Sequence, residues 1–495
     1  MDATDDPTAP IPPLAAADVP AWDEVVDVVV VGLGAAGASA AITAAEAGAR
    51  VLALERTGGG GGTSAMSGGI IYLGGGTSTQ TAAGTEDTPA LMCRFLSEAL
   101  GRPVDDPRLA SYCAGSVEHH DWLVEHGVPF RGVFWPEPGM EPPGTEGLVF
   151  TGGEDTAPYA DHITPAARGH VPETPNAAGG FLMERLLAAV ARSGAEVRTD
   201  ARAERLVVDA DGTVVGLTAR VDGTPLAVRA TGGVVLSSGG WAFNDALVDR
   251  YVAPVNRVMM KLGTDNDDGW GLRSCLGLDA ATEGMTTAEV ALPITPPRTM
   301  VRGVLVNGEG RRFINEDTYF GHVGQHALME QDGEAYLLFD EPHYVVNRVG
   351  MRATWVCADW DELTEEIGLP AGSLASTMAA YNEAAARGED PEWGKGPEWV
   401  EPLVAPPFGA IDLRVDHAIY AGFPLGGVAT TSDGAVVRAD GSTVPGLFAA
   451  GRVASSLALE RYCSGISLGE GTFFGRRAAS AAAVLAATGE RGPTP

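Results

Sequence analysis

Between residues 25 and 56 the chain reads VVDVVVVGLGAAGASAAITAAEAGARVLALER. An apolar run without polar alternation fits a strand buried on both faces. Here it leads through a glycine turn into a helix of small residues and then a second apolar run, which predicts a βαβ unit. A glycine-rich loop, TGGGGGTSAMSGGIIYLGGGT, follows over 57–77. Residues 88–128 pattern as helix with a polar face. Residues 129–177, with FWPEPGMEPPGTEG and RGHVPETP, read as an irregular Pro- and Gly-rich insertion. A helix and strands are predicted over 179–209. A meander with DG turns follows over 211–240 and ends in the apolar VVLSSGG. From 276 to 430 the pattern is mixed. VPGLFAAGRV (444–453) returns to strand-then-glycine, and TFFGRRAASAAAVLAAT (472–488) is again a small-residue helix.

Similar strand–glycine motifs therefore sit at both ends of the chain, with a different pattern between. The expected architecture is α/β. A Rossmann-type dinucleotide-binding domain is built from 21–275 and 430–495, and an α+β substrate domain is inserted over 276–429. Residues 1–20 are acidic and rich in Pro and Ala, and are expected to form a flexible tail. They lack the basic start and apolar core of an export signal. No apolar run reaches the ~18–20 residues a bilayer span needs, so no membrane span is expected. The 33 Lys+Arg against 65 Asp+Glu give a net charge of −32, which disfavours nucleic acid and anionic membranes as partners. The five cysteines show no CxxC and no zinc spacing, which fits reduced thiols in a cytoplasmic location and no bound metal. The 66 glycines are roughly twice the usual ~7% share, and their clustering points to backbone threaded close to a ligand.

Gly32-x-Gly34-x-x-Gly37 follows a strand and opens a helix, and Glu55 ends the next strand. The first glycine makes the turn, the second admits a pyrophosphate, and the third lets helix pack on strand. The pyrophosphate takes the positive end of the helix dipole. Glu55 then accepts the ribose hydroxyls, which argues against a 2′-phosphate. A nicotinamide enzyme does not need the run of small residues after Glu55; a flavin dinucleotide does. Contacts to FAD are expected from Gly32, Gly34, Ala35, Ala36 and Gly37, and from Glu55 and Arg56. Gly62, Thr63, Ser64, Ser67, Gly68 and Gly69 supply the loop. Gly239 and Gly451 end the two distant strand–glycine segments. Ser467 and Leu468, at the start of the last helix, aim its N-terminus at the flavin pyrimidine end.

The Gly32–Glu55 unit, GGTSAMSGG, VVLSSGG and PGLFAAGR resemble the flavoprotein family of fumarate reductase, succinate dehydrogenase and the 3-ketosteroid dehydrogenases. Within it, GGIIYLGGGT, SVEHHDWLVEHGVPF, RGHVP, VRGVLVNGEGRRFINEDTYFG and YCSGISLGEGTFFGRRAA are most similar to the FAD-dependent 3-ketosteroid Δ4-(5α)-dehydrogenases. The resemblance implies removal of hydrogens α and β to a ring ketone, with the hydride passing to flavin N5. It implies catalytic roles for Tyr319 in EDTYFG and for Tyr462 and Ser464 in RYCSG. Tyr462, with a backbone N–H near Ile466, is expected to polarise the ketone. Tyr319, with Ser464 relaying, is expected to take the α proton, though the two tyrosines are interchangeable at this level. A tyrosine base needs its pKa of ~10 lowered by the site.

Two departures from the family refine this. AGFPLGG (421–427), with Phe423 as a substrate contact, lacks the His that dicarboxylate reductases carry before their Gly pair. Gly62 precedes Thr63 where covalent members carry a flavin-linking His, so FAD is expected to bind non-covalently. Glu460 and Arg461 replace two glycines of the steroid enzymes. Arg461 suits a carboxylate, which opens a second substrate version beside a 3-ketosteroid: a small oxo-acid ring such as 4-oxocyclohexanecarboxylate. Arg461 in an ordinary ion pair is the alternative. Reduction of an activated alkene by the same residues, and a subunit of a membrane electron-transfer complex, are the other functional readings. The electron acceptor is not legible. His119–His120, His170, Phe134, Trp135 and Cys463 read as packing residues.

Overall fold

The apolar run Glu24–Val31 becomes a central strand of a nine-stranded sheet in the computed structural model, which describes residues 6–136, 142–176, 178–292, 298–346 and 351–489. Parts of the expected tail (1–5) and of the Pro-rich insertion (137–141) lie outside the described residues. The Glu24–Val31 strand pairs in parallel with Val51–Leu54 on one side and with Thr224–Leu236 on the other. Thr443–Ala449, nearly at the other end of the sequence, adds in parallel to Thr224–Leu236 through Val234↔Leu447 and Leu236↔Ala449. The meander runs antiparallel through Ala201–Val208, Val214–Val221 and the start of Thr224–Leu236. These parallel strands are buried on both faces, which is why they read as unbroken Val, Leu and Ala.

Two small-residue helices cover the sheet. The first, Ala35–Glu46, packs against the last, Ile466–Thr488, so closely that a Cβ on Gly475 would sit 2.4 Å from the Ala36 carbonyl oxygen. Large side chains would hold the two axes apart, and alanine and glycine let them meet. At the start of the first helix, a Cβ on Gly37 would fall 1.8 Å from the Gly32 carbonyl oxygen, so only glycine fits there.

The middle of the chain supplies further sheets, two of which bear on the site and its surroundings. Ala288–Ala291 pairs antiparallel with Ala421–Pro424, setting Glu289 opposite Phe423, and Met260–Lys261 joins on the far side. That edge strand comes from sequence expected to belong to the dinucleotide-binding segment. Val304–Asn307, Ala335–Asp340, Phe408–Asp412 and Trp355–Cys357 form an antiparallel sheet of their own.

Residues 6–20 differ from the expected flexible tail. Leu14–Ala15 pairs with Val207–Val208, Val19 is buried, and Leu14, Ala16 and Trp22 pack against Val207 and Ala227. Arg205 donates to the Pro12 and Pro13 carbonyls and Asn244 to the Pro7 carbonyl. Proline cannot donate to a ladder but is tolerated at an edge. The composition that read as unfolded is that of an edge strand tied down by its carbonyls. Among the described residues no helix is long and apolar enough to cross a membrane.

Candidate active site

Four parallel strands end at one place. Val31 leads into Gly32, Leu54 into Glu55, Leu236 into Ser237–Gly240, and Ala449 into Gly451. Ligands of open α/β sheets bind in the crevice beyond such carboxyl ends, and a cavity of about 850 Å³ opens there. Of the residues expected from sequence, Gly32, Gly34, Ala35, Ala36, Glu55, Arg56, Gly62, Thr63, Ser64, Ser67, Gly68, Gly69, Gly239, Gly451, Ser467 and Leu468 line it. So do Tyr319, Tyr462, Ser464 and Phe423. Gly37 stands behind the wall, packed on Gly32.

The cradle is held by polar contacts that leave room for a ligand. Glu55 accepts the Leu33 N–H on one oxygen (2.9 Å) and the Thr57 N–H and hydroxyl on the other (2.9 Å each). A carboxylate has about four acceptor sites, so one remains for a ribose hydroxyl. A Cβ on Gly34 would meet the Ser64 hydroxyl at 3.4 Å and the Gly61 carbonyl oxygen at 4.0 Å, both ordinary contacts. The protein's own packing therefore does not require glycine at 34, which leaves the space beside it open to a ligand. The Ser238 and Ser467 hydroxyls are buried on this cavity without partners. Two helix N-termini whose N-cap residues, Gly34 and Gly465, supply no side-chain cap open on it. A long dinucleotide with a diphosphate and a heteroaromatic ring answers these features together.

Asp267 was not legible in the sequence, yet it ties the cofactor segments together. It accepts the Gly240 N–H (2.8 Å), the Thr63 hydroxyl (2.9 Å) and the Arg452 guanidinium (2.6 Å). Burial pushes its carboxyl up, but Arg452 and these donors outweigh that and hold it below the usual carboxylate range. Arg56 pairs with Asp268 (2.8 Å).

At the other end of the cavity two phenols meet. Tyr462 Oη accepts the Ser467 N–H (3.2 Å), and the ring stands edge-on to Phe423 at 5.9 Å. Tyr319, at the N-terminus of the Phe320–Met329 helix, donates its hydroxyl to Glu289 Oε1 (3.3 Å). The Ser464 hydroxyl stands beside the Tyr319 phenol. His322, one turn on, packs edge-on against Tyr319 (5.3 Å) and bonds the Tyr462 carbonyl (3.0 Å), so one imidazole braces both tyrosines. Burial lowers its pKa to about 3, leaving it neutral.

One requirement is unmet and two expectations are corrected here. The site does not lower the pKa of either tyrosine: burial, with the nearby Glu289 charge, pushes both up. The Ile466 N–H is already bonded to the Cys463 carbonyl (3.1 Å), and Ile466 lies behind the cavity wall. The first turn of the helix points Ser467 and Leu468 inward instead. Arg461 is not among the residues that line the cavity; its guanidinium lies near Tyr159 and His322. The histidines expected to pack do so: His119 bonds Thr472, His120 bonds Thr79 and His170 bonds Thr77, each at 2.8 Å.

Known proteins match this chain along nearly its whole length. A family model described as an FAD binding domain matches residues 27–468. The 3-oxo-5-alpha-steroid 4-dehydrogenase of Comamonas testosteroni is 28% identical, over 91% of this chain and 96% of that protein. The 4-oxocyclohexanecarboxylate 2-dehydrogenase of Sinomonas cyclohexanicum is 30% identical, over 87% of this chain and 88% of that one. The crystal structure of the 3-ketosteroid-delta4-(5alpha)-dehydrogenase of Rhodococcus jostii RHA1, in complex with 4-androstene-3,17-dione, superposes with a TM-score of 0.90. Its sequence is 42% identical, over 96% of this chain and 100% of that one.

Proposed function

The chain belongs to the FAD binding domain family of flavoproteins, and on that premise we propose that it desaturates a cyclic ketone between the α and β carbons. It is an FAD-dependent dehydrogenase related to the 3-ketosteroid and 4-oxocyclohexanecarboxylate dehydrogenases. Bound FAD supplies the hydride acceptor.

The observation that carries the reading is the opposite hydrogen-bonding of the two phenols on one cavity wall. Tyr462 accepts an N–H, so its own O–H remains to be donated. Aimed at a ketone oxygen in a water-poor site, it stabilises the enolate charge that makes the α C–H acidic. Tyr319 spends its O–H on Glu289, so its oxygen lone pair remains to receive the α proton. The apolar face of Phe423 and the first turn of the last helix orient the ring between them.

The wall also bears on the substrate. Arg461 faces Tyr159. Of the cations that line the cavity, Lys261, Arg452 and Arg56 are held by Asp245, Asp267 and Asp268, and Arg202 lies on the Ala201–Val208 strand, at the Glu55 end away from the two phenols. This supports a neutral ring ketone such as a 3-ketosteroid over a one-ring oxo-carboxylate. Anaerobic mixing of the FAD-loaded protein with each ketone tests the reading. The flavin should bleach with a 3-ketosteroid, and one α,β-unsaturated ketone should form per flavin reduced. Persistent yellow colour with both ketones contradicts it.

A further inference from the structure

Tyr319 is the wrong acid–base form for its role unless another group takes its proton. Burial and the neighbouring Glu289 charge hold its pKa well above the usual ~10, so at neutral pH the oxygen carries its hydrogen. A neutral phenol is a very weak base. Ser464, beside it, has a hydroxyl that passes a proton on but does not keep one.

Glu289 has the properties this problem requires. Its strand, Ala288–Ala291, packs under the N-terminal end of the Phe320–Met329 helix. The side chain is only 4% exposed and lines the cavity. One oxygen accepts the Tyr319 hydroxyl, and the other, Oε2, is buried with no partner. Leaving a buried carboxyl oxygen unpaired costs stability, and an apolar residue would fill the same place without that cost.

The surroundings do not neutralise it. The facing strand, Ala421–Pro424, carries no charge. The Phe320–Met329 helix brings His322 and His326, both lowered by burial. The 461–464 segment brings Tyr462 and Cys463, both raised by burial, and Arg461, which faces Tyr159. Lys261 and Arg452 are engaged by Asp245 and Asp267.

We propose that Glu289 is a positioning residue for the base: its carboxylate takes the phenolic proton of Tyr319 as the Tyr319 oxygen receives the α proton of the ketone. This rests on the desaturase reading above. The α C–H bond breaks and its proton forms a new O–H bond on Tyr319. The original Tyr319 O–H breaks and its proton ends on Glu289 Oε1. The α C–H electron pair becomes the new C=C bond as the β hydride leaves for FAD. The ketone is oxidised by two electrons and FAD is reduced by two. The ionised carboxylate is the working form, and desolvation raises the Glu289 pKa to about 8. The rate should therefore rise with pH through a midpoint near 8.

The test uses FAD-loaded wild type, Glu289→Gln and Glu289→Asp with a ring ketone, read by anaerobic stopped-flow bleaching across pH. The Gln variant should bind FAD and ketone with nearly unchanged affinity and bleach roughly 10²–10⁴-fold more slowly. It should lose the rise near pH 8, and the Asp variant should restore part of the rate and the rise. Infrared difference spectra of the holoproteins without ketone give a second readout. Wild type should lose a protonated-carboxyl band with a midpoint near 8 that the Gln variant never shows. A Gln variant that bleaches at the wild-type rate with the same profile overturns the relay while the desaturase reading stands. So does a slow Gln variant that keeps the pH rise, or a wild type without that band. Wild type that binds FAD yet bleaches with no ring ketone overturns both.

Discussion

Tyr319 and Tyr462 are the same side chain in opposite hydrogen-bonding positions: one donates to Glu289, the other accepts the Ser467 N–H, and the roles proposed for them follow from that difference. Tyr462→Phe should keep the flavin and lower the bleaching rate by roughly 10²–10³-fold, the usual loss when one donor to a developing oxyanion is removed. Tyr319→Phe should lower it by roughly 10²–10⁴-fold and abolish exchange of the α hydrogens with D2O, which Tyr462→Phe only slows. Rate and exchange, measured on the same holoproteins, check the assignment. Arg461→Gly should change the ratio of rates on a 3-ketosteroid and 4-oxocyclohexanecarboxylate by less than about three-fold, because Arg461 faces Tyr159. A swing from acid to steroid would restore its expected pocket role. Tyr319, Tyr462 and Ser464 were legible because short motifs carry them. Glu289 and Asp267 were not. Glu289 reaches the site only through its pairing opposite Phe423, far along the chain, and Asp267 lies in GTDNDDGW, which has no spacing signal.

At the scale of elements, the glycines of the first turn serve different masters. Gly34→Ala meets only ordinary contact in the protein, so the apoprotein should melt within a degree or two of wild type while FAD affinity falls at least ten-fold. Gly37→Ala drives a methyl into the Gly32 carbonyl and should destabilise the apoprotein by about 2–4 kcal/mol. Thermal melts with and without FAD separate the two. The βαβ unit, the meander and the last helix were readable because their hydrophobic periods are unambiguous. Residues 6–20 depart from the expected flexible tail because prolines at a sheet edge and prolines in a loose tail share one composition. Their burial depends on Val207 and Ala227, which composition does not report. The boundary near 275 cuts across a sheet whose edge strand, Met260–Lys261, precedes it.

For the whole molecule, the site carries a stability cost that depends on pH. Glu289 binds its proton more tightly folded than unfolded, so its contribution to stability falls as pH rises from the ordinary 4.5 towards about 8, and is flat above that. Glu289→Gln should therefore melt like wild type near pH 4 and be more stable by on the order of 3 kcal/mol at pH 7. A variant that gains stability while losing catalysis is the expected sign of a strained functional group. Asp267 works in the other direction: its lowered pKa contributes stability above the ordinary carboxylate range, and that contribution is lost as pH falls. Denaturant melts of wild type and Asp267→Asn across about pH 3–7 should converge at the acid end. On the reading proposed above, two phenols divide one ketone between them over the flavin. A crystal structure of the FAD-loaded protein with a bound ring ketone tests it most directly. The ketone oxygen should lie within hydrogen-bonding distance of Tyr462 Oη, with Tyr319 Oη beside the α carbon. A ketone oxygen bound by Tyr319, or a ring lying away from both phenols, contradicts it.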